Sequence, residues 1–96
     1  MNKNNLFSLQ TITRNELGMH ARPAAKIAEM AMEAKGEVQL SNGSLKVDAS
    51  SIIDILTLGA VKGTRISIQV EFIEDQSIME QIKAFFDAGF GELNNE

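Results

Sequence analysis

Apolar and polar residues alternate at the start of the chain as they do in a strand. Residues 6–13 place every second side chain on one face, namely Phe7, Leu9 and Thr11. Ile12 falls on the other face, which allows a bulge or a register change near Thr11. Residues 21–34 change to helical spacing, with an apolar stripe of Ala24, Ile27, Ala28 and Ala31. Gly36 follows as the predicted helix stop.

The middle of the chain predicts a hairpin and a short helix. Segments 37–41 and 44–48 flank Asn42-Gly43, a pair that favours a type I′ turn with positive φ at both residues. Ser50 or Ser51 then caps a short helix that extends to about residue 58. Ser51 and Asp54 have the spacing of a capping box.

The last third predicts one more strand and one more helix. Residues 65–71 form the most regular strand, with apolar positions at Ile66, Ile68, Val70 and Phe72. Ser77 is the predicted N-cap of the last helix, and Glu80 completes its capping box. The apolar face of that helix consists of Ile78, Ile82, Phe85 and Phe86. Gly89-Phe90 fits a Schellman stop.

The predicted element order is βαββαβα, in a single α+β domain over residues 1–96. A sheet with one apolar face buries its core only if all three helices stack on that face. Residues 1–5 and 94–96 are expected to be frayed ends.

Composition narrows the possible functions. The chain has 96 residues, with 44% hydrophobic and 23% charged residues, as in a soluble globular domain. It has no cysteine and one histidine, so we expect no disulfide, no metal site and no cofactor. The net charge of −4 disfavours nucleic acid as a partner. The sequence lacks an apolar leader or membrane-length segment, so we expect a cytoplasmic protein without membrane insertion.

The stretch 17–25 holds the candidate chemistry. His20 lies where a glycine-containing loop turns into the first helix, and Pro23 fits a first turn, where its missing N–H has no intrahelical partner. Free N–H groups and the helix dipole attract an anion there, and Arg22 adds a guanidinium that grips phosphate oxygens in pairs. The dipole also disfavours imidazolium, so a neutral His20 ring can accept and release a phosphoryl group.

The same residues also permit a second interpretation. A surface histidine with one arginine fits an ordinary helix cap, in a small α+β regulatory or ligand-binding module that is not phosphorylated. The residues alone leave both interpretations open.

The stretch Gly18-Met-His-Ala-Arg-Pro-Ala24 resembles the active-site signature of the HPr family. These are the phosphocarrier proteins of the phosphoenolpyruvate-dependent phosphotransferase system. The Asn-Gly hairpin, residues 51–59 and Lys62-Gly63 match as well, so the resemblance covers nearly the whole chain. It implies an open-faced β-sandwich, with a four-stranded antiparallel sheet in the order 1-4-2-3 and three helices on one side. It also implies a monomeric carrier, rather than a turnover enzyme, that takes a phosphoryl group from enzyme I and passes it to the histidine of a IIA domain.

The resemblance carries over residue by residue. His20 is implied to be the phosphorylated residue, at Nδ1, with Arg22 stabilising the phosphate and Pro23 as the signature proline of the helix N-terminus. Ser51 matches the regulatory serine of many Gram-positive members, which implies HPr kinase/phosphorylase as a further partner. However, Ser50 stands where those members commonly carry lysine. A helix cap alone explains Ser51, and it is the favoured interpretation.

Apolar residues beside this serine predict a docking patch. Ile52, Ile53 and Leu56 cannot all face the core from a two-turn helix, so at least one is exposed for partners while others belong to the core. The acidic tail, which contains Glu92 and Glu96, is interpreted as solvation. Residues 84–90 resemble the nitrogen-related branch of the family (NPr) more than the sugar branch, and both branches remain open.

Overall fold

The computed structural model describes residues 7–92, so both predicted frayed ends lie outside the described residues. Seven regular elements follow one another in the predicted order: β1 (Phe7–Ile12), α1 (Ala21–Met32), β2 (Val38–Ser41), β3 (Lys46–Asp48), α2 (Ile52–Leu56), β4 (Arg65–Val70) and α3 (Gln76–Asp87). Two 3-10 turns, Ile73–Asp75 and Gly89–Gly91, precede and follow α3. Within the described part of the chain, no helix has the length and apolar character needed to cross a membrane.

The four strands form one antiparallel sheet in the order β1-β4-β2-β3. The central strand β4 buries Ile66, Ile68 and Val70, while its intervening residues lie on the polar outer face. The three helices cover the apolar face. The α+β open-faced sandwich and its strand order are therefore confirmed.

The core lies between the sheet and the helices. The predicted alanine stripe of α1 is buried, which allows this helix to approach the sheet closely. The largest apolar side chains without solvent exposure come from both layers: Ile27, Leu40, Ile55, Ile66, Ile68, Ile82 and Phe86. This packing fixes where α1 begins and therefore where His20 is presented.

β1 contains no bulge. Its residues pair one for one with β4, from Phe7 opposite Val70 to Ile12 opposite Arg65. Ile12 lies on the outer face at 36% exposure, so its side chain needs no register change to reach the core. The proposed bulge is therefore wrong.

Gly36 does not act as the predicted left-handed helix stop. Helix α1 ends at Met32, before the predicted residue 34, and the φ of Gly36 is not positive. A Cβ on Gly36 would lie 2.6 Å from two ring carbons of Phe72. A side chain at this position would displace the Phe72 ring, so glycine leaves room for that ring to pack against the backbone.

The hairpin turn differs from the predicted type I′. Only Gly43 of the Asn-Gly pair has a positive φ, at 97°. The Oδ1 atom of Asn42 accepts hydrogen bonds from the N–H groups of Ser44 and Leu45, at 2.9 and 2.8 Å. The asparagine side chain therefore supports a four-residue loop, as in an Asx turn.

Ser51 caps α2 as predicted, whereas Ser77 does not cap α3. Ser51 Oγ accepts a hydrogen bond from the Asp54 N–H at 3.2 Å, and α2 ends at Leu56 rather than residue 58. Ser77 lies inside α3, which begins one residue earlier after a 3-10 turn. The carboxylate of the true N-cap, Asp75, accepts hydrogen bonds from two N–H groups of the α1–β2 loop at 2.8 Å. The start of α3 is thus anchored by a tertiary contact.

Candidate functional site

His20 occupies the N-cap of α1, as the sequence predicts. Its backbone is extended, and its carbonyl oxygen accepts the Ala24 N–H at 3.0 Å. The imidazole makes no capping hydrogen bond, and 31% of the side chain is exposed. Pro23 is buried in the first helical turn. The ring is therefore held at the helix start without being used to cap it.

The loop before His20 is fixed by a close backbone approach. The Met19 N–H donates to the carbonyl oxygen of Ala60 at 2.8 Å. Gly18 has a φ of 68°, and a Cβ added there would lie 2.5 Å from the same oxygen. Glycine is thus required at this position both for its backbone conformation and for the space it leaves.

Glu92 faces both predicted site residues. Its Oε2 atom lies 2.8 Å from His20 Nε2 and 3.1 Å from a terminal nitrogen of Arg22. Its Oε1 atom accepts a hydrogen bond from the buried Asn15 side chain at 2.7 Å. Only 13% of the Glu92 side chain is exposed. The interpretation of Glu92 as solvation is therefore wrong, while Glu96 lies outside the described residues.

A left-handed turn carries Glu92 back to the start of α1. Gly89, Phe90 and Gly91 have φ values of 62°, 60° and 75°. The Phe90 ring packs 5.1 Å from the Phe85 ring and 4.9 Å from the Phe86 ring, measured between centroids. Two glycines around an aromatic residue were the available sequence signal that residue 92 is held against the core.

The surroundings of Glu92 keep its carboxylate ionised. Burial raises the pKa of Glu92, but hydrogen bonds from Asn15 and His20 and the charges of His20 and Arg22 together outweigh it. The pKa therefore lies below its ordinary value of 4.5. An ionised carboxylate only accepts hydrogen bonds, so the shared proton belongs to His20 Nε2. In the neutral ring, Nδ1 then carries the free lone pair.

An apolar surface lies along α2. Ile52, Ile53 and Leu56 are exposed by 41%, 75% and 38%, and the buried residue of this helix is Ile55. The expectation that some of these three residues belong to the core is therefore wrong. Met32 on α1 is 70% exposed and lines a groove together with Ile52 and Ile53. We call Met32, Ile52, Ile53 and Leu56 the α2 patch.

Two exposed apolar residues lie in the loops on either side of the site. Leu17 and Val61 are 73% and 67% exposed. They belong to the two loops that the Met19–Ala60 hydrogen bond joins. No local pattern marks them, because each stands alone among polar or small residues. Among residues 7–92, no three histidine, cysteine or acidic residues are grouped so that they could bind a metal ion.

Comparison with known proteins agrees with this geometry. The family model described as "PTS HPr component phosphorylation site" matches residues 8–88. The phosphocarrier protein NPr of Klebsiella oxytoca is 39% identical over 79 residues, which cover 81% of this chain and 88% of that protein. The phosphocarrier protein HPr of Cupriavidus necator is 32% identical over 87 residues, 91% of this chain and 98% of that protein. A crystal structure of HPr from Thermoanaerobacter tengcongensis gives a TM-score of 0.83 at 25% identity, covering 92% of this chain and 99% of that one.

A sheet covered on one face by three helices, with a histidine at the start of the first helix, agrees with the phosphocarrier class that the family model and these relatives indicate. The chain belongs to the HPr family of the phosphotransferase system. Its NPr relatives fit the nitrogen-related branch. These matches do not favour the alternative of a module without phosphotransfer.

Proposed function

We propose that Nδ1 of His20 accepts a phosphoryl group from enzyme I and passes it to a histidine of a IIA protein. The observation that carries this proposal is the His20 ring at the N-cap of α1, with Nε2 bonded to Glu92 and Nδ1 left as the nucleophile. In the first transfer, the Nδ1 lone pair forms the bond to phosphorus. The bond between phosphorus and the donor breaks, and its electron pair stays with enzyme I.

Arg22 is the proposed phosphate-stabilising residue. Its guanidinium lies beside the site because Glu92 binds it at 3.1 Å, yet 72% of the side chain is exposed. An exposed arginine can turn toward an incoming phosphate and donate two parallel hydrogen bonds. Pro23 supports the site indirectly, because its fixed φ favours the first turn that begins beside His20.

The α2 patch is the proposed docking surface for enzyme I and the IIA protein. Its residues are exposed and apolar, and the neighbouring Ser50 and Asp54 add no positive charge to it. We therefore expect binding to depend mainly on apolar contact and only weakly on salt. In this proposal the chain acts as a single-domain monomer in the cytoplasm. Modification of Ser51 by HPr kinase/phosphorylase stays a prediction, since its capping bond already explains the residue.

Labelling with phosphoenolpyruvate and enzyme I tests the proposal. The wild type should gain one acid-labile, base-stable phosphate, and His20→Ala should gain none while remaining folded. Label that persists in His20→Ala would contradict the assignment.

Arg22→Ala tests the phosphate-stabilising role. We expect acceptance to slow by about tenfold, since a charge-assisted grip on the moving group is lost. Lys26→Ala is the matched control, because it removes an exposed cation one turn further along α1. If Arg22→Ala and Lys26→Ala accept the phosphoryl group at the same rate, Arg22 has no phosphate-stabilising role beyond that of any nearby cation.

A further inference from the structure

The Glu92 carboxylate is held in the site more firmly than a surface acid. It is nearly buried, and three side chains from two other segments bond to it: Asn15, His20 and Arg22. Phe90, two residues earlier, adopts a left-handed conformation that a residue with a side chain rarely adopts. The turn is retained because the Phe90 ring packs against the rings of Phe85 and Phe86, which together form an aromatic cluster. The fold therefore specifies where this carboxylate lies.

The contact also selects one ring nitrogen. Asn15 donates to Oε1, which leaves Oε2 for the His20 Nε2 proton and for Arg22. A carboxylate bonded to one nitrogen of an imidazole orients the ring and favours positive charge on it. The opposite nitrogen, Nδ1, is then the nucleophile.

We propose that Glu92 is a positioning residue for phosphoryl transfer, which holds the Nε2 proton of His20 and stabilises the positive charge that the ring acquires. The inference rests on the proposed function. When the Nδ1 lone pair forms the bond to phosphorus, the ring keeps its Nε2 proton and becomes cationic. The electron pair of the broken bond stays with the donor group of enzyme I, which is thereby dephosphorylated. Glu92 Oε2, 2.8 Å from Nε2, faces the new positive charge directly.

Glu92→Gln tests the charge, because glutamine keeps the size and one acceptor oxygen but is neutral. We expect acceptance of the phosphoryl group from phosphorylated enzyme I to slow by about tenfold. Glu92→Asp keeps the charge on a shorter side chain and should be faster than Glu92→Gln. Glu74→Gln is the matched control, since Glu74 is exposed in the 3-10 turn before α3, and its rate should equal that of the wild type. Thermal melting checks that each variant is folded.

Nuclear magnetic resonance of the unphosphorylated protein gives a readout that does not depend on enzyme I. In the wild type and in Glu74→Gln, the neutral His20 ring should carry its proton on Nε2, with slow exchange to water. In Glu92→Ala this exchange should become fast, because the acceptor is lost. A wild-type ring protonated on Nδ1 would overturn the inference.

The two proposals fail in different ways. If the wild type gains no phosphate at all, the proposed function fails, whatever the ring proton does. If the wild type is labelled but Glu92→Gln reacts at the same rate, the positioning role is wrong and the carrier function stands. A Glu92→Gln variant that reacts faster would also overturn the inference, because the carboxylate would then compete with the incoming phosphoryl group.

Discussion

Asp75 is expected to contribute more to stability than any exposed acid of the chain. Asp75 is 3% exposed, and its carboxylate accepts hydrogen bonds from the N–H groups of Lys35 and Gly36, each at 2.8 Å. A hydrogen bond to a charged group contributes about 1.5–3 kcal/mol, so Asp75→Ala should cost about 3 kcal/mol even if water reaches one of the freed N–H groups. That is a large share of the roughly 5–15 kcal/mol that stabilises a typical domain.

Urea unfolding, monitored by circular dichroism, measures this loss. With a slope of about 1–1.5 kcal/mol/M for a chain of this size, the midpoint should fall by about 2 M. Glu74→Ala is the matched control, because the neighbouring residue is exposed and lies in the same turn. Asp75→Asn keeps one acceptor oxygen and should lie between the two. If Asp75→Ala and Glu74→Ala unfold at the same urea concentration, the anchoring role assigned to this carboxylate is refuted.

Two other predictions concern the loop before His20 and the pH dependence of stability. Gly18→Ala should cost more than 2 kcal/mol and slow phosphoryl acceptance, because its Cβ would lie 2.5 Å from the Ala60 carbonyl oxygen. Gly59→Ala, with a φ of +58° but open space around it, should cost only about 1 kcal/mol in the same urea assay. The pKa of Asp87 lies below its ordinary value of 3.8, mainly because Lys83 donates a hydrogen bond to it. The ionised carboxylate therefore stabilises the fold above pH 3.8, and this stabilisation is lost as the pH falls through the lower pKa of the folded protein. Asp87→Asn should therefore lower the free energy of unfolding by about 1 kcal/mol at pH 7, a figure reduced because 35% of the Asp87 side chain is exposed. If the variant is destabilised by the same amount at the lowest pH, the assignment is contradicted.

Periodic burial made much of the fold predictable. In β4 every second residue faces the helices, and in α1 one stripe faces the sheet, so the sequence retains periods of two and of about 3.6. Ser51 was predictable as well, because an N-cap acts on a backbone N–H three residues away. The resemblance to a known family supplied the sheet order and the His20 assignment, which periodicity alone does not determine.

Contacts between segments that are distant in the sequence explain why some of the sequence-based predictions were wrong. Gly36 and Ser77 look like helix-terminus signals, but a Phe72 ring and the Asp75 carboxylate determine the structure there. Glu92 is the strongest example, since its bond to His20 spans 72 positions of the sequence. The glycines on either side of Phe90 indicate a turn before Glu92, but they do not identify His20 as its partner. Its role emerges only when the left-handed turn closes on the aromatic cluster.

The hydrogen bond between Met19 and Ala60 has a consequence for the speed of transfer. It joins the loop that ends at His20 to the loop that follows α2, at a backbone distance of 2.8 Å. A partner seated on the α2 patch would therefore meet the imidazole at a position that this hydrogen bond fixes relative to the patch. In the proposed transfer, docking accounts for the loss of translational and rotational freedom, and His20 then reacts with the group of the partner at a high effective molarity. Among partners that dock on this surface, the turnover of the relay should follow the lifetime of each complex.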